Sequence, residues 1–439
     1  MHVDTVANNG SGNKKWKLAF IFAFLVLIVD GADVMFLAFS LASIKADFGL
    51  SAVEAGMLGS VTLVGMALGG VTGGWSSDRF GRVKTITFCV FVFSILTSFL
   101  AFAENVTQFA ILRFISALFL GSVYMVCSTL IAESVPTHKR TTIVASLQTG
   151  ITVGYIVASV LAGTIIPDFG WRPMFMLASV GVILAIVMYM MVPESDAWLA
   201  AKDNIRKQLA TKSKAPKGAF TTLFKDPSVR KILILWILAS GFMHFGYYGV
   251  NNWMPLYLEQ ELGMQIKKLT TFMVGSYTAM ILGKVIAGIL GDKIGRRATF
   301  ALGTVSTALF LIVIVMFNSP NNILWLLIGF GFLYGLPFGV YGTYMAESFP
   351  TRIRGTSLGV AHNMGRIGSS IGPIAIGFVA TNASVGYGFL MMGAAYLVCV
   401  LPVFFIREHL YDPQGNEEIA AGQHPEVKSE STKTANQTV

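Results

Sequence analysis

The chain has 439 residues, of which 54% are hydrophobic and only 13% are charged, and its formal net charge is +9. About a quarter of the residues in a soluble domain are charged, so this chain cannot cover itself with a polar surface. The composition excludes an ordinary water-soluble protein and indicates one that folds in lipid. Its 45 glycines suit the close packing of helices inside a membrane.

Apolar segments follow one another along the chain, each near the length of about 20 residues that crosses the hydrocarbon core of a bilayer. We predict twelve transmembrane helices, all α, in two sets of six. The first set covers 17–44, 53–75, 84–103, 107–132, 141–165 and 172–192. The second set covers 229–258, 269–290, 298–317, 321–346, 355–379 and 387–406.

The predicted domain organisation has four parts: an N-terminal six-helix bundle, a basic linker, a C-terminal six-helix bundle and a polar tail. Their expected bounds are 1–192, 193–228, 229–406 and 407–439. A polar tail without a run of apolar residues is expected to be disordered.

The distribution of lysine and arginine predicts the orientation in the membrane. Basic residues concentrate in cytoplasmic loops, and here the basic loops all fall on one side if both termini are cytoplasmic. We expect a multi-pass protein of a plasma membrane, such as a bacterial inner membrane, surrounded by lipid and monomeric. Topology accounts for the positive charge, so no nucleic acid partner is expected.

Two short motifs occur once in each half of the chain. The first has Gly74, Asp78, Arg79, Gly81 and Arg82, and then Gly288, Asp292, Lys293, Gly295 and Arg296. The second, Ala-Glu-Ser-x-Pro-Thr, contains Glu133 and then Glu347. Asp78 and Asp292 are 214 residues apart, and so are Glu133 and Glu347. The shared spacing indicates a duplicated six-helix unit, hence two pseudo-symmetric bundles with a solute site between them.

The first of these motifs, Gly-x-x-x-Asp-Arg/Lys-x-Gly-Arg, resembles the loop signature of the major facilitator superfamily, and the resemblance covers essentially the whole chain. It implies that Gly81 and Gly295 form tight turns. The charged residues of both motifs would form a network that holds helix ends together in one state and releases them in another, as alternating access requires. The alternative is that they serve only turn formation and topology.

The first span contains Asp30-Gly31-Ala32-Asp33, which resembles the Asp-Gly-Phe-Asp element of aromatic acid:proton symporters and of related sialate, lactate and organic-acid transporters. Asp30 and Asp33 are about one helical turn apart and share a face. Acids inside a span are costly and are functional candidates by default, and a carboxylate beside a like charge in a low dielectric binds protons more readily. The alternative is a solvated position near the membrane surface.

Arg113 in the fourth span resembles the superfamily's arginine in that span, which is associated with proton coupling. Asp33 or Asp30 is its expected partner, and the three residues are the predicted proton-coupling group. A purely structural ion pair is the alternative, because removing either member would leave an unpaired buried charge.

Arg366 lies in a Gly-Arg-x-Gly-x-x-x-Gly-Pro stretch that looks like that of the same organic-acid group. Its planar guanidinium suits bidentate binding of a carboxylate, although an interhelical ion pair would also explain it. We expect the seventh span to be a broken, cavity-lining helix, because two adjacent amides follow Gly246 and Gly249. The alternative is an aromatic anchoring belt at the outer membrane interface. Further candidates for substrate contact are Tyr248, Asn251, Asn252, His362 and Lys284. The alternatives are that His362 is a hydrogen-bonded packing residue and that Lys284 extends its ammonium group toward the membrane surface.

These features predict a proton-coupled symporter that imports a small organic carboxylate by alternating access. The substrate remains open between aromatic acids, muconate-like dicarboxylates, lactate-like acids and acidic sugars. Protons are the expected coupling ion, and we expect no other cofactor, no metal site and no enzymatic activity. The alternatives are a proton-independent or exporting facilitator of another solute and, in a different class, a transporter-like sensor.

Overall fold

The computed structural model describes residues 11–135, 140–200, 202–203, 223–319, 321–349 and 354–406. The helices of the first half are α1 (Ser11–Asp47), α2 (Ala52–Phe80), α3 (Arg82–Phe99), α4 (Val106–Ser134), α5 (Arg140–Phe169), α6 (Arg172–Met176) and α7 (Val180–Met191). Those of the second half are α8 (Pro227–Gln260), α9 (Ile266–Ile294), α10 (Arg296–Phe317), α11 (Ile323–Glu347), α12 (Arg354–Ser369), α13 (Ile371–Asn382) and α14 (Val385–Phe404). The predicted tail and most of the predicted linker lie outside the described residues.

Helices long and apolar enough to cross a membrane dominate the described part of the chain, where eleven such spans occur. One of them, Arg172–Met191, joins α6 and α7 through the short 3-10 segment Leu177–Ser179. Large apolar side chains such as Met190 and Phe378 are exposed on the outside, as expected where lipid replaces water. The predicted all-α membrane fold with two six-helix bundles is confirmed.

The predicted span 355–379 is not one helix, which corrects the sequence-based expectation. Helix α12 ends at Ser369 and α13 begins at Ile371, and the amide of Ser370 donates to the carbonyl of Ile367 over 3.2 Å. Pro373 has no N–H to donate to the carbonyl four residues earlier, so regular helix is interrupted here. The break lies one turn beyond Arg366.

The prediction of a broken seventh span is wrong, because α8 is continuous from Pro227 to Gln260. Its glycines serve close packing against α14 instead. A Cβ atom on Gly246 would meet the ring of Tyr396 at 2.6 Å, and one on Gly249 would meet the sulfur of Met392 at 2.5 Å. Glycine at these positions lets the two helices approach each other.

The two halves pack against each other through α1 on α8, α2 on α12 and α13, and α5 on α9. Several close approaches lie at the ends of these helices that are remote from the duplicated Asp-Arg loops. A Cβ atom on Gly56 would meet the carbonyl oxygen of Pro373 at 2.5 Å, and one on Gly163 would meet the hydroxyl of Thr270 at 2.3 Å. The interface between the halves is therefore tightly closed at that end.

Candidate functional site

A buried ion pair joins α1 to α4. Nη1 of Arg113 lies 2.5 Å from Oδ1 of Asp33, and the two side chains are 0% and 1% exposed. Nη2 of Arg113 donates to the backbone carbonyl of Asp33 over 3.2 Å, and Nε donates to the hydroxyl of Thr62 on α2 over 3.2 Å. Asp33, rather than Asp30, is thus the partner of Arg113, and the pair ties three helices of the first half together.

Asp30 is buried as well, being 4% exposed, but its surroundings differ from those of Asp33. Its Oδ1 atom has no hydrogen-bond partner among the described residues. The charges of Arg366, Asp33 and Arg113 act on it through space. The alternative that these acids are solvated surface residues is wrong. One acid is held by an arginine within its own half, and the other is not.

Arg366 on α12 is 5% exposed, and it interacts electrostatically with Asp30 from the second half. Its Nη2 atom donates to the hydroxyl of Tyr248 on α8 over 3.2 Å. Its Nε and Nη1 atoms have no acceptor in the part of the chain that the structure describes. A buried charged donor without an acceptor is costly, so Arg366 is suited to bind an anion.

His362 precedes Arg366 by four residues on α12, about one helical turn. Its Nε2 atom is buried without a partner among the described residues, and its Nδ1 atom lies 3.5 Å from the hydroxyl of Tyr341 on α11. The predicted candidates Tyr248, His362 and Arg366 are therefore brought together around unsatisfied polar atoms.

Sequence reasoning missed three ring residues of this cluster. The rings of His244 and Tyr124 have centroids 5.1 and 5.9 Å from that of His362, and Tyr341 lies at 6.1 Å. Tyr124 follows Arg113 by eleven residues, close to three turns, and His244 precedes Tyr248 by four, so helical periodicity could have found both. Helical spacing from a predicted candidate does not identify Tyr341. The hydroxyl of Tyr124 accepts a hydrogen bond from Gln148 on α5.

Three further predicted substrate contacts lie elsewhere along the interior. Nδ2 of Asn251 donates to the carbonyl of Tyr247 over 3.0 Å and to the hydroxyl of Tyr334 over 2.8 Å. Asn252 packs against Gly59 of α2, where an added Cβ atom would meet its Nδ2 atom. The ammonium group of Lys284 donates to the hydroxyl of Thr152 on α5 over 2.8 Å, across the two halves.

The duplicated motifs form the same network in each half. Nη1 of Arg82 lies 2.7 Å from Asp78 and Nη2 lies 2.9 Å from Glu133. In the second half, Arg296 lies 2.8 Å from Asp292 and 3.3 Å from Glu347. Each arginine also donates to a backbone carbonyl, of Ser77 over 2.7 Å or of Gly291 over 2.8 Å. The internal repeat of the sequence is therefore a repeat of structure.

The glycine turns of these loops have positive backbone angles, with φ of 115° at Gly81 and 93° at Gly295. Glycine adopts this region without the strain that a side chain brings, as the motif predicted. Gly74 and Gly288 differ, because an added Cβ atom would meet no atom within 4 Å at either position. Packing in this arrangement of the described helices therefore does not explain why glycine occurs at this position in both copies of the motif.

The remaining charged motif residues lie outside these carboxylate networks. The guanidinium of Arg79 lies 5.4 Å from the ring centroid of Trp75, and Lys293 is exposed. Glu194, which sequence reasoning missed, accepts hydrogen bonds from the backbone amides of Arg82 and Val83 over 2.8 and 3.0 Å. It thereby satisfies the free amides at the beginning of α3.

The fold and these repeated networks define a class of membrane transporter. Residues 23–281 and 268–434 match the Major Facilitator Superfamily, and the chain belongs to that superfamily. It is accordingly a transporter rather than an enzyme. The D-xylose-proton symporter has the same fold, with a TM-score of 0.75 and 20% identity over 90% of this chain and 98% of that one.

Several similar proteins are named as transporters of organic acids. The cis,cis-muconate transport protein of Acinetobacter baylyi is 56% identical over 404 residues, which are 92% of this chain and 97% of that protein. The benzoate transport protein of the same organism is 26% identical over 439 residues, covering 92% of each chain. The sialic acid transporter NanX of Escherichia coli is 26% identical over 405 residues, covering 91% of this chain and 96% of that one.

Proposed function

We propose that the protein imports a small organic dicarboxylate of the muconate type together with protons. The observation that carries this proposal is Arg366, a buried guanidinium with two donors that lack acceptors in the described structure. A carboxylate would accept from Nε or Nη1 together with the remaining hydrogen of Nη2, because each of these pairs forms one edge of the guanidinium and gives the bidentate geometry that arginine favours. The 56% identity to a cis,cis-muconate transport protein supports a muconate-like diacid over the other acids that the sequence left open.

Asp30 supplies the coupling to protons. Its charge and that of Arg366 act on each other across the two halves, so an ionised Asp30 competes with a substrate anion for the same guanidinium and also repels that anion. A proton on Asp30 removes both effects. Proton and substrate therefore favour each other's binding, and this positive coupling is reciprocal.

Asp33 and Arg113 have a structural role in this proposal. Their mutual ion pair is fully buried and holds α1 in place beside α4, so that Asp30 faces the second half. Protons are the coupling ion, and the mechanism uses no other cofactor. The repeated Arg82 and Arg296 networks stabilise each half while the halves move relative to one another.

The proposal includes a monomeric carrier in a bacterial inner membrane, with both termini cytoplasmic. In this orientation the duplicated loops face the cytoplasm. The close contacts of Gly56 with Pro373 and of Gly163 with Thr270 then lie on the outer side, and they must separate for the substrate to enter from outside.

The test is uptake of radiolabelled cis,cis-muconate into liposomes that contain the purified protein. We expect accumulation above the external concentration when the outside is more acidic, and only equilibration when the two sides have equal pH. Equilibration under both conditions would identify a proton-independent facilitator. Absence of uptake, with uptake of benzoate in its place, would show that the substrate class is wrong.

A further inference from the structure

We propose that His362 binds the second carboxylate of a dicarboxylate substrate whose first carboxylate is bound by Arg366. The inference rests on the proposed function and adds to it the residue that distinguishes a diacid from a monoacid. The two side chains are four residues apart on α12, so they lie on the same face of that helix. Both present buried nitrogen atoms that have no partner in the described residues.

An unpartnered ring nitrogen in a buried place needs an explanation, because most buried polar atoms have a hydrogen-bond partner. Nε2 of His362 is such an atom. Whether it is a donor or an acceptor depends on which ring nitrogen carries the hydrogen. The neighbouring groups of α8 and α11 decide this.

The hydrogen-bond chain starts at His244, whose Nδ1 atom lies 2.8 Å from the backbone carbonyl of Ser240. A carbonyl oxygen can only accept, so the hydrogen of a neutral His244 is on Nδ1. The hydroxyl of Ser240 is therefore free to donate elsewhere. It lies 2.6 Å from the hydroxyl of Tyr341, and either group can be the donor; in our proposal Ser240 donates and Tyr341 accepts.

Tyr341 then has its own hydrogen available for Nδ1 of His362, which lies 3.5 Å away. With Nδ1 as the acceptor, the hydrogen of a neutral His362 is on Nε2. With the hydrogen bonds running from Ser240 to Tyr341 to His362, as we propose, Nε2 is a donor. A donor without a protein acceptor, one turn from an arginine with the same property, suits a second carboxylate.

The spacing and the surroundings also fit a short, unsaturated diacid. Four residues correspond to about 6 Å along a helix axis, so the two donors can contact the two ends of one small molecule. The rings of Tyr124 and His244 flank His362 at centroid distances of 5.9 and 5.1 Å. Their faces offer contact to the carbon chain between the carboxylates. A monoacid would leave Nε2 unpaired, and a site built to hydrogen-bond a group discriminates strongly against an analogue that lacks it.

The experiment compares the dissociation constants of cis,cis-muconate and its monomethyl ester for the purified protein. The ester keeps one carboxylate and nearly the same shape. We expect wild-type protein to prefer the diacid by about tenfold or more, and His362→Phe to lose this preference by binding the diacid more weakly while its affinity for the ester is unchanged. His362→Gln, whose amide offers a donor near the position of Nε2, should keep part of the preference.

Tyr341→Phe tests the positioning role of the hydrogen-bond chain. It should reduce the preference for the diacid less than His362→Phe does, with unchanged affinity for the ester. Met364→Leu is the matched control, because Met364 lies on α12 but is 47% exposed on its outer surface; it should bind both ligands as wild type does.

Equal loss of affinity for both ligands in His362→Phe, or unchanged affinity for both, would overturn the inference while leaving the proposed function intact. Loss of the diacid preference in Lys284→Met but not in His362→Phe would assign the second carboxylate to Lys284. Wild-type protein that binds neither ligand would refute the proposed function itself.

Discussion

Asp30 on α1 and Arg366 on α12 belong to opposite halves of the protein, and their charges act on each other although no salt bridge joins them. Asp33, three residues beyond Asp30, is instead bound to Arg113 at 2.5 Å. Two acids that look equivalent in the sequence are thus placed in unequal environments, and their substitutions should have unequal effects.

Substitution of Asp30 by asparagine should remove proton coupling without removing binding. The neutral amide imitates a permanently protonated acid, so substrate exchange between compartments of equal pH should continue, while accumulation driven by a pH gradient should be lost. Uptake and counterflow in liposomes measure the two activities separately. Accumulation at the wild-type level in Asp30→Asn would show that another group carries the proton.

Substitution of Asp33 by asparagine should primarily affect stability. It leaves Arg113 as an unpaired buried charge, which typically costs about 3–5 kcal/mol. We expect a lower melting temperature and a lower yield in detergent. The double variant Asp33→Asn, Arg113→Met should recover much of this loss, because the buried charge is removed as well. If Asp33→Asn melts like wild type and fails only in pH-driven uptake, Asp33 is a coupling residue and the distinction from Asp30 drawn here is wrong.

The class of protein and the internal duplication could be predicted from the repeated motifs. Most of the buried charged residues could be predicted as well, because a charged side chain inside an apolar span is easily recognised. It did not reveal which acid pairs with Arg113, since Asp30 and Asp33 share a helix face and the choice depends on how α4 packs. The prediction that α8 is broken was wrong because Gly246 and Gly249 serve close helix packing instead. The helix break between α12 and α13 instead follows from Pro373, which lacks an N–H. This proline was evident in the sequence, but we interpreted it only as part of a motif and did not predict the break.

Substitution of Arg366 by lysine should weaken substrate binding although the charge is kept. An ammonium group cannot reproduce the planar fork of donors, and the loss of one charge-assisted bond of about 1.5–3 kcal/mol corresponds to a rise in Kd of roughly ten- to a hundredfold. Binding is measured by ligand-induced thermal shift, with the melting temperature of the ligand-free protein as the control for folding. Unchanged affinity in a normally folded variant would exclude Arg366 as the anchor and make Lys284 or Arg113 the next candidate.

The proposed orientation is tested by cysteine labelling with a membrane-impermeant reagent. All three native cysteines are buried, so background labelling should be low. Ser319→Cys should react in intact cells, whereas Ser213→Cys and Gln423→Cys should react only after the membrane is opened. Reaction of Ser213→Cys in intact cells would reverse the assigned topology.

The ion pairs described for each duplicated network lie within one half: Arg82 pairs with carboxylates of α2 and α4, and Arg296 pairs with carboxylates of α9 and α11. The two halves should consequently be able to form as separate polypeptides. A chain cut between Trp198 and Pro227 keeps Glu194 with the first half, and its two pieces, produced together in one cell, should reassemble into a working carrier.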